Sequence, residues 1–86
     1  MARYLVQFTI ACMTRQDLQS LARTIRKDPE VSLLSFDVAQ AQGKLFLPCQ
    51  CSDRAALDTF MKRHNLRSED IFRIELEASG DALGDV

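Results

Sequence analysis

Apolar residues recur at every second position from Tyr4 through Val6 and Phe8 to Ile10, the repeat of a β-strand with one buried face. The repeat then changes. Leu18, Leu21, Ala22 and Ile25 follow the i, i+3, i+4, i+7 spacing of a helical stripe, with Thr14 placed as its N-cap and Asp17 to reach back. Asp28-Pro29 ends that helix. A second strand is expected from Val31 to Ala39, with Leu34, Phe36 and Val38 on one side. A third runs from Lys44 to Cys51, with Leu45, Leu47, Cys49 and Cys51 sharing a side. Between them, Gln40-Ala41-Gln42-Gly43 reads as a hairpin in which Gly43 takes positive φ. Pro48 has no N–H for a ladder, which predicts a bulge or a gap in the bonding.

Ser52 or Asp53 caps a second helix carrying Leu57, Phe60, Met61 and His64, with Asn65 as a left-handed cap and Leu66 closing over the end. A last strand, Asp70 to Glu77, is expected to turn Phe72, Ile74 and Leu76 inward. Residues 78–86 are small, acidic and unpatterned, and are expected to form a disordered tail. Strand, helix, strand, strand, helix, strand predicts one domain over residues 1–77. Its fold class is α+β: a ferredoxin-like βαββαβ unit whose four-stranded antiparallel sheet, order 4-1-3-2, carries both helices on one face.

Composition acts mainly by exclusion. Eleven basic and 12 acidic residues give a net charge of −1, without the surplus of Lys and Arg that nucleic-acid binding needs. The open faces of strands one and three offer Phe46 as their one base-stacking aromatic, which argues against RNA recognition as well. No apolar run approaches the roughly 20 residues of a membrane span, so no membrane partner is expected. The start of the chain lacks the layout of a signal peptide. Three cysteines, an odd number, predict free thiols in a reducing, cytoplasmic compartment.

The expected topology also nominates chemistry. The sheet edge where strand one ends collects Cys12, Met13, the 40–43 hairpin, His64 and the loop from Asn65 to Asp70. Pro29, Cys49 and Cys51 fall at the opposite edge. A thiol beside an imidazole can be a nucleophile with its base or a pair of soft metal ligands, and a carboxylate adds a third group. Cys12, His64 and Asp70 are therefore candidate ligand-binding residues, with Cys12 and His64 the candidate ligands of a divalent transition metal. The plainer reading is that His64 closes the core at a helix C-terminus, where an imidazolium suits the dipole. Cys49 and Cys51 point the same way beside Leu45 and Leu47, as core hydrophobes or as a redox pair; apolar surroundings disfavour the thiolates the second role needs. Cys12 sits where ferredoxin-like copper chaperones begin a Cys-x-x-Cys, but Arg15 occupies the second position. Catalytic residues are not identifiable.

From Lys44 onward the chain resembles a small bacterial ferredoxin-like family of unknown function that includes a nickel-binding member. The shared pattern is Lys44-Leu45-Phe46, then Ser52-Asp53-Arg54-Ala55-Ala56-Leu57, then Lys62-Arg63 leading through Leu66 to Asp70-Ile71. The opening Ala2-Arg3-Tyr4-Leu5-Val6 is similar too. The resemblance implies a dimeric, α+β barrel-like assembly. Histidines common in that family correspond here to Leu34 and Phe60, which carry no metal-binding group.

The sequence thus predicts a small homodimeric ligand- or metal-binding module without catalysis. Leu5, Gln7, Thr9, Phe46 and Pro48 on the open sheet face form its expected dimer interface. Two alternatives stand beside it: a small isomerase or cofactor-free oxygenase of the dimeric α+β barrel type, and an interaction or regulatory domain acting through its open sheet.

Overall fold

In chain order the elements are β1 (Ala2–Thr9), α1 (Arg15–Ile25), β2 (Val31–Leu33), β3 (Asp37–Ala39), β4 (Lys44–Cys51), α2 (Arg54–Arg63) and β5 (Asp70–Arg73). Short 3-10 turns occupy Gln40–Gln42 and Gly80–Asp85. These assignments come from a computed structural model that describes residues 1–78 and 80–85. Of the segment expected to be a disordered tail, Ser79 and Val86 lie outside the described residues.

The strands form one antiparallel sheet of order β2-β4-β1-β5, with β3 also paired to β4. That order is compatible with the ferredoxin-like arrangement, but there are five strands where four were expected. The extra strand comes from a break in the expected Val31–Ala39 run. Leu33 lies opposite Cys49, whereas Asp37 lies opposite Phe46. Three residues on the broken strand therefore face two on β4, the geometry of a β-bulge. Pro48 explains its place. The Pro48 carbonyl accepts from Leu34 N–H at 2.8 Å, so the position where its own N–H would be also faces this strand. With no donor there, continuous pairing gains nothing, and the ladder yields at that point.

Parity across the bulge changes accordingly. Val31 and Leu33 face the core before it and Phe36 after it, while Leu34 is 47 % exposed. The expected grouping of Leu34 with Phe36 and Val38 is corrected by that one inserted residue. A second correction concerns β5, where Val6 pairs with Ile71 and Leu5 with Phe72. Ile71 therefore packs on the core, and Phe72 stands on the open face, 45 % exposed. The alternation Phe72, Ile74, Leu76 is real in sequence but belongs to the opposite face at Phe72, because only pairing with β1 fixes which side is inside.

Cap chemistry sets both helices. Thr14 and Asp17 form a reciprocal capping box at α1, at 3.0 and 3.1 Å. At α2, Asp53 is the N-cap, accepting from Ala56 N–H at 2.8 Å. The α2 C-terminus closes with Asn65 at φ 53°, Leu66 N–H donating to the Met61 carbonyl and Asn65 N–H to that of Lys62. Gly43, at φ 67°, ends the β3–β4 connection, and its carbonyl accepts from Ile10 N–H, tying the hairpin to the end of β1.

The core is one cluster on one sheet face. Tyr4, Val6 and Phe8 of β1 and Leu45, Leu47, Cys49 and Cys51 of β4 meet Leu18 and Ile25 of α1 and Leu57, Phe60 and Met61 of α2. No described helix is long and apolar enough to cross a membrane.

Candidate functional site

Ten helical residues rise about 15 Å, whereas eight strand residues span about 26 Å. The cap of α2 therefore stops short of the sheet edge where β1 ends, and a cleft of about 560 Å³ opens there. Phe8 and Thr9 of β1, Ile10 just after it and Leu45 of β4 line it on the sheet side. Met13 of the β1–α1 loop and Leu21 of α1 close it on one side, and His64, Asn65, Leu66 and Arg67 from the turn after α2.

His64 is the best-anchored polar group of that lining. Its Nε2 lies 2.9 Å from Asp28 Oδ2, its ring meets Phe60 edge-on with centroids 4.9 Å apart, and its side chain is 14 % exposed. The Asp28 side chain is wholly buried. Its other oxygen accepts from the backbone N–H groups of Glu30 at 2.9 Å and Val31 at 3.2 Å. Arg63 bonds the same Asp28 carboxylate and reaches Glu30 at 3.1 Å. Burial alone would raise the Asp28 pKa; the Glu30 N–H, His64 and Arg63 outweigh it and hold the carboxyl at about 2. An ionised Asp28 thus takes the Nε2 proton of His64 as a hydrogen bond and fixes the ring, leaving Nδ1 without a protein partner among the described residues. Nδ1 is not sealed away either, since no buried side-chain N or O atom among the described residues lacks a partner.

The sequence missed this cluster. From the sequence Asp28 is only a helix terminator, in a segment expected at the edge opposite His64. The signal that existed was an Asp two residues before Glu30 and three before Val31, the spacing of a side chain that caps its own following turn.

Of the candidate ligand-binding residues Cys12, His64 and Asp70, His64 alone lines the cleft. Cys12 is exposed in the turn after β1, and Asp70 is exposed on β5 opposite Gln7. No bond joins Cys12, His64 and Asp70 to one another among the described residues, and no group of three or more His, Cys, Asp or Glu there is arranged to hold a metal ion. Cys49 and Cys51 are buried. Burial, with Cys51 nearby, pushes the Cys49 thiol up to about 11, and burial raises Cys51 as well, so both are protonated at neutral pH.

Leu5, Gln7, Thr9, Phe46 and Pro48 all lie on the open sheet face. Leu34, Pro48, Leu5 and Phe72 form an apolar row across it, Leu34 bonded to Pro48 and Leu5 paired with both Pro48 and Phe72. Beside that row Glu69 draws together Lys44 at 2.6 Å, Thr9 at 3.0 Å and Gln7 at 3.2 Å. Lys44, then Thr9, lower the Glu69 pKa.

Fold and site together define a small α+β protein with a five-stranded antiparallel sheet and a cleft at one sheet edge. The protein SCO4226 of Streptomyces coelicolor A3(2), known from a crystal structure, shares this fold at a TM-score of 0.77 and 16 % identity, covering 90 % of this chain and 100 % of that one. No family model matches the chain, and no curated protein matches it in sequence.

Proposed function

We propose that this protein is a small homodimeric binding module of ferredoxin-like fold, without catalysis, whose ligand occupies the cleft beside His64. The observation that carries the reading is the cleft itself. About 560 Å³ lies within the range of small-molecule sites, and its mostly apolar wall holds a few convergent polar groups. Dimerisation rests on the apolar row of the open sheet, which a second copy would cover by sheet-against-sheet packing. The family resemblance of the sequence agrees with both fold and dimer. For a metal, the support is thinner: His64 has only Nδ1 to offer while Nε2 serves Asp28.

The test is fragment binding followed by backbone NMR on the untagged protein. Shifts gathered at Phe8, Ile10, Met13 and Leu66, and lost in Leu21→Trp, which fills the cleft, support the reading. Fragments that perturb only the open sheet, or nothing, reject it. Elemental analysis of the same sample beside His64→Ala decides the metal version: stoichiometric metal lost on substitution supports it, and none in either sample removes it.

One observation favours the enzyme alternative. A buried carboxylate fixing an imidazole beside a cleft is what a general base needs. Turnover of a bound fragment that disappears in Asp28→Asn while binding persists would move the protein to that class.

A further inference from the structure

We infer that the cleft takes an amphipathic carboxylate, its anionic head between Arg67 and His64 and its apolar body against Phe8, Ile10, Leu21 and Leu45. This deepens the binding reading above and rests on it. Three observations fix the class. The walls on the β1, α1 and β4 sides are hydrocarbon or thioether apart from Thr9, so the body of the ligand must be apolar. Thr9 does not alter this, because its hydroxyl is engaged by Glu69 at 3.0 Å on the other side of the sheet edge.

The polar end is cationic. Arg67 lines the cleft with no carboxylate within ion-pair distance among the described residues, whereas the nearby acids are committed: Glu69 to Lys44, Asp28 to Arg63 and His64. A guanidinium presents paired donors that match a carboxylate, and Asp70, the remaining acid of this segment, is not among the residues that line the cleft. His64 adds direction. Asp28 fixes its ring through Nε2, and the unpartnered Nδ1 is the ring atom left to meet the ligand head. The Asn65 side chain, exposed at the same rim, supplies a further amide donor.

The experiment is calorimetric titration of the full chain with hexanoate, octanoate and decanoate and with the 1-alkanols of equal length, below their aggregation limits. Affinity for the carboxylates is expected to rise about fourfold per added methylene, the transfer value for burying one such group. Each carboxylate is expected to bind at least about tenfold tighter than its alcohol, the worth of a charge-assisted bond. Arg67→Gln, an exposed position whose change leaves the fold intact, should erase that preference while keeping the chain-length dependence. Alcohols binding as tightly as acids, or a preference that survives Arg67→Gln, overturns the head-group assignment and leaves the cleft reading standing. If cleft-directed fragments bind but neither series does, the carboxylate proposal fails alone; if nothing enters the cleft, both fail.

Discussion

The two faces of the sheet use the same strands and alternate residues, yet they differ completely in what holds them. On the helix side Tyr4, Val6, Leu45, Leu47, Cys49 and Cys51 are buried without a charged group among them. On the open side Leu5, Phe46 and Pro48 are half-buried, and a hydrogen-bonded polar cluster sits beside them. Where side chains interdigitate with helices, shape decides stability. On the other face, pairing across strands and the charge of the surroundings decide what the surface can meet.

Truncation should break that comparison most visibly. Phe60→Ala, in a position 1 % exposed, is expected to cost about 3–5 kcal/mol by loss of burial and the cavity left behind. Phe72→Ala on the open face should leave the denaturation midpoint of the isolated protomer nearly unchanged and, where the proposed dimer forms, weaken it, read by sedimentation. Equal losses of stability at the two positions would abolish the distinction between the faces.

Asp28 lies at the junction of helices and sheet and comes next. Its folded pKa, about 2, lies below the ordinary 3.8, so its contribution is complete above pH 4 and lost as pH falls toward 2. That contribution is about 2 kcal/mol from the shift alone. Urea unfolding of Asp28→Asn should show a smaller loss of stability between pH 5 and pH 2 than the parent. Identical acid profiles would mean the buried carboxylate gains nothing from its partners.

The thiols sharpen the comparison chemically. A thiol reagent at neutral pH should modify Cys12 rapidly and reach Cys49 and Cys51 only in denaturant, because these two are buried and their pKa values raised. Three fast thiols in the native protein would contradict the buried assignment. Smallest of all is Glu69→Gln: the cluster with Lys44 is exposed, so any change in the unfolding midpoint should vanish in high salt.

Local chemistry was legible wherever a few neighbouring residues decide it. Thr14 with Asp17, Asp53 as cap, Gly43 at positive φ and Asn65 with Leu66 all act within one turn, and the structure places each as the spacing demands. The buried faces of β1 and β4 were legible for the same reason, since their alternation is unbroken. Pro48 announced a disturbance, but whether it would split the partner strand depended on the register of Leu33 and Asp37 against β4. Alternation alone leaves the inward face of β5 undecided, because it gives two faces and only pairing with β1 says which one meets the core.

The sequence by itself determined the order of elements, their caps and the apolar stripes, because those follow from interactions between residues a few positions apart. Only tertiary structure decided that Asp28 meets His64 across 36 positions, that a cleft opens where α2 ends, and that Phe72 faces outward. These are consequences of how far a helix rises against a strand and of which strand pairs with which, quantities set by packing the whole chain at once.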